Sequence, residues 1–318
     1  MKQRIETREL FVLDPAEGTI SGTYHRAYND TPGAQSETSE QKRVGVLFLN
    51  SLTPTRSATG DSAVYWADSF AQRGYPAFRL DIAGFGDSAG DPPADPLEFM
   101  NMGGYAAVAA NKVSQVTERF NLSGVIIVGL CAGAVSALYA AAACKECKGV
   151  ILMDPYFHLP LTKTPGLWQK VMRRLSRTSI GWLTSNAYDR MRAFRAQLPG
   201  TPPPSNANFP LLNCWKKVAA SGTPILLLKA QHTKLKIGDF DYLSYILELA
   251  GGKSQVVVNV IEGTGHSFAN RAGLAAVRQH TENWLNAYFP LERRAEANRN
   301  SACPKHGDNR LARICAHG

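Results

Sequence analysis

Short, almost wholly apolar runs recur along this chain, with helix-like segments between them. RVGVLFLN (Arg43–Asn50), GVIIVG (Gly124–Gly129), GVILMD (Gly149–Asp154), PILLLKA (Pro224–Ala230) and QVVVNVIEG (Gln255–Gly263) are each too short for a buried helix. They are too continuously apolar for a half-exposed strand. Such runs belong to strands covered on both faces, as in a parallel sheet. The intervals carry amphipathic patterns at Ser62–Gly74, Leu97–Phe120, Ala132–Lys145, Tyr242–Ala250 and Phe268–Phe289. A further strand is expected at Tyr75–Asp81. RELFVL (Arg8–Leu13) and TISGTYHRA (Thr19–Ala27) flank a DPAEG turn signal and predict an antiparallel hairpin at the start. Repeated strand–helix units imply an α/β fold: a mostly parallel central sheet with helices on both faces.

The rhythm breaks between Pro155 and about Pro210. Helix-like pieces around Trp168–Arg177 and Tyr188–Gln197 lead into the Pro-rich PGTPPPSNANFP. This predicts an inserted helical lid over 155–210, between core segments 1–154 and 211–289, with a polar tail over 290–318 that is expected to be disordered. From Pro155 to Gly200 the bases Lys163, Lys170, Arg173, Arg174, Arg177, Arg190, Arg192 and Arg195 face one acid, Asp189. Within a net charge of +9, that imbalance points to an anionic partner or to a solvated basic helix face.

No aromatic-interleaved nucleic-acid motif occurs, and no apolar run approaches the roughly 20 residues of a transmembrane helix. The charged opening MKQRIETREL has no apolar signal region, so a cytoplasmic location is expected. The six cysteines, Cys131, Cys144, Cys147, Cys214, Cys303 and Cys315, then read as reduced thiols. Neither the lone C-x-x-C at Cys144–Cys147 nor the irregular Cys303, His306, Cys315 and His317 set carries a metal assignment, and no cofactor is expected.

Chemistry concentrates in VGLCAGA (Val128–Ala134), where an apolar strand runs into Gly129-Leu130-Cys131-Ala132-Gly133 and then a helix. A nucleophile on so tight a turn needs small residues two before and two after it, which Gly129 and Gly133 supply. Cys131 would also meet the positive end of a helix dipole. His266 lies just past a predicted strand on a Gly-flanked loop, which a parallel sheet delivers to the edge that holds the elbow. Ala132 would supply one oxyanion N–H, and Ser51 or Leu52, after the Phe48–Asn50 strand end, the other. His158 and His232 also follow strands and read as ordinary surface histidines or substrate contacts.

With these residues the chain resembles the α/β-hydrolase superfamily over roughly residues 5 to 288. Within it, the chain is most similar to the exosortase-system-associated hydrolases of the serine-aminopeptidase-like branch, whose elbow resembles VGLCAGA. FLNSLTPTR (Phe48–Arg56), FRLDIAGFGDS (Phe78–Ser88) and GTGHSF (Gly263–Phe268) resemble the superfamily's loops after its third and fourth strands and its late histidine loop. The resemblance implies a hydrolase fold and a role for Arg56 toward a substrate anion. Pairing of Arg56 with an acid of the Asp81–Asp87 loop is the alternative.

The acid departs from the pattern. The superfamily places an aspartate shortly after the strand at Pro224–Lys229, where this chain has AQHTKLKIG. Asp239 or Asp241 further along that loop, Asp154 at the end of the preceding strand, or no acid at all remain open. The expected function is an acyl hydrolase or acyltransferase acting on an ester or thioester through Cys131 and His266. A small-molecule acyl group, or an anionic or carrier-bound one, is the expected substrate. The alternative is a catalytically silent hydrolase fold that binds or scaffolds.

Overall fold

The computed structural model describes residues 7–13, 19–28, 42–49, 55–160, 202–231, 236–237, 240–252 and 254–291. The chain begins with strands β1 (Arg8–Leu13), β2 (Ile20–His25) and β3 (Val44–Leu49). Helix α1 (Ser62–Gln72), strand β4 (Ala77–Leu80), helices α2 (Pro96–Asn101) and α3 (Ala106–Arg119) and strand β5 (Gly124–Leu130) follow. Next come α4 (Ala132–Ala143), β6 (Cys147–Met153), α5 (Phe209–Ala220), β7 (Ile225–Ala230) and a small hairpin, β8 (Lys236–Ile237) with β9 (Phe240–Asp241). The last described elements are α6 (Tyr242–Ala250), β10 (Val256–Ile261) and α7 (Arg271–Tyr288).

Eight strands form one sheet in the order β1-β2-β4-β3-β5-β6-β7-β10. The pairs from β4 through β10 are parallel, while β1–β2 and β2–β4 are antiparallel. Four of the five apolar runs are buried on both faces, as their composition demands; the fifth, β10, is the edge strand and stays partly exposed, with Val260 at 50%. Val46, Ile126, Ile151 and Leu226 face Trp66 and Phe70 of α1 and Trp284 and Leu285 of α7. Their neighbours Leu47, Ile127, Leu152 and Leu227 face a layer that includes Val113, Leu138, Trp215 and Ile246 of α3 to α6. This strict two-residue alternation fixes the register, because a one-residue slip would exchange the two layers.

The single helix expected over Leu97–Phe120 is two helices. Met102 to Tyr105 break it, with Gly103 at φ +78°. A Cβ at Gly104 would lie 2.5 Å from the Phe99 ring, so the turn closes only around a bare backbone. The break frees the Asn101 carbonyl, which accepts from Tyr139 Oη at 2.8 Å and Asn208 Nδ2 at 2.7 Å. Helix α5 was not anticipated from sequence, although Asn208 before Phe209-Pro210 is an N-cap signal. Asn208 Oδ1 accepts from the Leu211 amide at 3.1 Å.

The central part of the predicted lid, 161–201, lies outside the described residues, as does the tail beyond Leu291. The ends of the insertion are joined. Leu159 N donates to Asn206 O at 2.7 Å and Asn208 N to Phe157 O at 2.9 Å, so the excursion leaves and returns at one place. Among the described residues no helix is long and apolar enough to cross a membrane.

Asn208 therefore ties three things together: the α5 N-terminus, the α2 break and the return of the insertion. Asn208→Ala is expected to cost about 2–4 kcal/mol, since it removes a cap and leaves a buried carbonyl short of a donor. Urea denaturation followed by circular dichroism measures this, and a loss below about 0.5 kcal/mol would contradict the role.

Candidate active site

Parallel strands deliver their C-terminal ends to one edge, and the sheet order sets what stands beside what. Cys131 follows β5, Asp154 follows β6, Lys229 is the penultimate residue of β7, and the loop after β10 carries His266. The β6–β7 register pairs Met153 with Leu228, so the next residues, Asp154 and Lys229, continue side by side. From β10 back to β5 is three strand spacings, about 14 Å. The His266 loop has to reach back across that distance.

Its anchors explain how it does so. Gly263 N donates to Gln231 Oε1 at 2.9 Å, and Asn270 Nδ2 donates to Gly263 O at 2.9 Å. Asn270 also caps α7 through the Gly273 amide at 2.7 Å, while Phe268 is fully buried. The loop is held at both ends and by an apolar plug between them, which leaves His266 little freedom.

Cys131 sits at φ +56°, ψ −120°, a strained conformation for a residue with a side chain. The turn closes so tightly that a Cβ on Gly129 would lie 2.2 Å from the Gly133 carbonyl oxygen. Cys131 N donates to Met153 O at 2.9 Å, and its carbonyl accepts from Ala134 N at 3.0 Å. The elbow is thereby fastened to β6 on one side and to the first turn of α4 on the other. Ala132 is the first residue of α4, where backbone N–H groups have no partner inside the helix, and it lines the cavity beside Cys131.

Asp154 is buried, with φ +50° and its amide bonded to Leu228 O at 2.7 Å. Its Oδ2 meets His266 Nδ1, and its Oδ1 lies 2.5 Å from the buried Lys229 Nζ. With Nδ1 held by Asp154, Nε2 is the ring nitrogen left for the Cys131 side chain, the other hydrogen-bond partner of His266. The Asp154 hydrogen bond, then the Cys131 one, push the imidazole up to about 10 against the opposing effect of burial.

The sequence-predicted residues thus fall into groups. Cys131, Ala132, His266 and Asp154 all line one cavity of about 480 Å³. Asp241 does not join them: it caps α6, accepting from Leu243 N at 3.1 Å and Ser244 N at 3.3 Å. A residue that directly precedes a helix and has a free side-chain oxygen satisfies that helix's open amides, and its carboxylate is committed there. Asp239, Ser51, Leu52 and His232 lie outside the described residues. Arg56 is paired with Asp81 and, at 2.7 Å, with Asp87, and its Nε donates to Thr23 at 3.0 Å. That is the pairing alternative raised from sequence.

His158 is a cavity residue and no surface histidine; it stands between the rings of Tyr156 and Tyr242. Lys229 escaped notice, although a lysine closing an otherwise apolar strand signals a buried charge in need of a partner. Burial raises the Cys144 and Cys147 thiols to about 11 and about 12, and both bond locally, to Glu146 Oε2 and Gly149 O. Among the described residues no cluster of His, Cys, Asp and Glu could hold a metal.

With this geometry in hand, the family is plain. Residues 46–279 match the model of the Alpha/beta hydrolase family, and the chain belongs to that family. The fold is similar to that of the α/β hydrolase GrgF of a Penicillium species, at 16% identity and TM-score 0.57, covering 89% of this chain and 99% of that one. It is similar to the Pyrococcus furiosus esterase Pf2001 at 14% identity and TM-score 0.56, over 88% of this chain and 92% of that one. A dienelactone hydrolase of Anabaena variabilis aligns at 14% identity and TM-score 0.52, over 89% and 99%. No curated protein matches the chain in sequence.

Because the folded His266 value lies above the ordinary 6.5, its pairing stabilises the protein fully below about pH 6.5 and fades as pH rises through about 10. Asp154→Asn removes the largest cause of that elevation. The imidazole is expected to titrate well below 10 in this variant, nearer the ordinary value, by NMR of ring-labelled histidine. An unchanged titration would show that Asp154 does not control His266.

Proposed function

We propose that this protein hydrolyses acyl esters or thioesters, with Cys131 as nucleophile, His266 as general base and acid, and Asp154 as the residue that positions and charges His266. The observation that carries this reading is the Asp154–His266 hydrogen bond, with Cys131 beside it in the lining of one mainly apolar cavity. Sγ bonds to the substrate carbonyl carbon while His266 Nε2 holds the proton that it shares with the thiol. The carbonyl electrons move onto oxygen, which the Ala132 N–H and an amide of the loop after β3, from Ser51 or Leu52, would stabilise.

Collapse of that intermediate expels the alcohol or thiol, which takes the proton from His266 and leaves an acyl group on Cys131. Water then attacks the acyl carbon while His266 accepts its proton. The acid leaves and the thiol is restored. The bases between Pro155 and Gly200 favour an anionic or carrier-bound acyl group as a finer specification of the substrate. The silent-scaffold alternative drew on the apparent lack of an acid, and the Asp154–His266 contact favours catalysis over it.

Turnover of p-nitrophenyl butanoate tests the assignment. Cys131→Ala is expected to abolish it, and His266→Ala to lower kcat by about 10²–10⁴-fold, with circular dichroism unchanged. A Cys131→Ala variant as active as the parent overturns the proposal.

A further inference from the structure

The cavity that Cys131 and His266 share extends well beyond them, to about 480 Å³, and the surface it offers is mostly hydrocarbon. Leu97 near the start of α2 and Pro160 beyond β6 are exposed, and Leu243 near the start of α6 is partly so; all three stand in its wall. Polar atoms of the lining are withdrawn from it. Tyr156 is partly exposed although its Oη has essentially no accessible surface, so this phenol shows the cavity its ring. Asn101 Oδ1 and Nδ2, His158 Nδ1 and Tyr242 Oη are inaccessible in the same way.

Charge is withdrawn too. Lys229 and the His266 ring both face the Asp154 carboxylate, and Lys229 and Asp154 are buried. Burial, then the Lys229 charge, hold His158 below the ordinary histidine value. A substrate group that needs a counter-ion or a hydrogen bond would lose its water here without replacement. A hydrocarbon chain has no such loss, and its removal from water is favourable. Size narrows the choice. A methylene takes about the volume of a water molecule, roughly 30 Å³, so a chain of about eight to twelve carbons fills half to three-quarters of the cavity. A butanoyl group fills about a quarter and leaves apolar wall uncovered.

We infer that the cavity receives the acyl part of the substrate as an unsubstituted hydrocarbon chain of about eight to twelve carbons, with its carbonyl carbon at Cys131 Sγ. This rests on the hydrolase reading above and specifies its substrate class. Any anionic portion of the substrate then belongs to the leaving group. Initial rates with p-nitrophenyl acetate, butanoate, hexanoate, octanoate and decanoate, each below its solubility limit, read the chain preference. Mono-p-nitrophenyl suberate, an octanoyl chain that ends in a carboxylate, reads the exclusion of charge.

From butanoate to octanoate kcat/KM is expected to rise at least about tenfold, since each buried methylene adds about two- to fourfold. The suberate ester is expected to fall at least about tenfold below octanoate, because its carboxylate would be desolvated without a partner. Leu243→Trp puts bulk into the cavity and is expected to cut the octanoate-to-butanoate ratio by at least about fivefold. Leu97→Trp, at a more exposed position, gives the same reading from the opposite element should the first variant fail to fold. Calorimetric binding of methyl octanoate and methyl butanoate to Cys131→Ala reads the preference without turnover. Tighter octanoate binding with no turnover by the parent supports the chain pocket and overturns the catalytic reading. Turnover with no gain from butanoyl to octanoyl overturns the pocket and leaves the catalytic reading standing. An octanoyl preference unchanged in both tryptophan variants, or suberate accepted as well as octanoate, also overturns the pocket.

Discussion

The carboxylate of Asp154 is the interaction on which the rest of this site depends. It is buried at the end of a central strand, with Lys229 on one oxygen and His266 on the other. Burying a carboxylate costs several kcal/mol unless partners compensate, and removal of one partner of a buried pair typically costs about 3–5 kcal/mol. Here compensation comes from two cations, Lys229 on β7 and His266 on the loop after β10. Adjacent strand ends supply Asp154 and Lys229, while the His266 loop closes the row from the sheet's far side. With the shared proton on the imidazole, the row Lys229, Asp154, His266, Cys131 alternates in charge from end to end. Such alternation favours the charge-separated form, most strongly at the buried Asp154–Lys229 end, where water screens it least.

That arrangement explains why the acid sits where it does. The loop after β7, the usual place for it in related folds, is led by a strand whose buried lysine already needs an anion. Asp154 satisfies that need from β6 and meets His266 with its second oxygen. Asp241, later on the β7 loop, serves the α6 N-terminus instead. One carboxylate thus meets both Lys229 and His266, and the strand register that pairs Met153 with Leu228 keeps it in place.

Much of this was legible in the sequence, for physical reasons. The doubly buried strands announce themselves by continuous apolar runs, and the elbow by glycines that tolerate no side chain. His266 could be placed because a parallel sheet sends such loops to one edge. Asp154 and Asp241 could not be separated, since the distinction lies in which carboxylate a helix N-terminus claims. The α2–α3 break was visible only as Gly103-Gly104, and its consequence, an Asn101 carbonyl that accepts from Tyr139 and Asn208, depends on residues from distant parts of the chain. Pocket residues drawn from several elements have no local signature.

The central claim is that the acyl group passes through Cys131. Rapid acid quench during turnover of p-nitrophenyl butanoate, followed by peptide mass mapping, tests it directly. The account predicts an added acyl mass on the Cys131 peptide, absent from Cys131→Ala and cleared when substrate is exhausted. An acyl group found on any other residue during turnover, or steady turnover by Cys131→Ala, would contradict it.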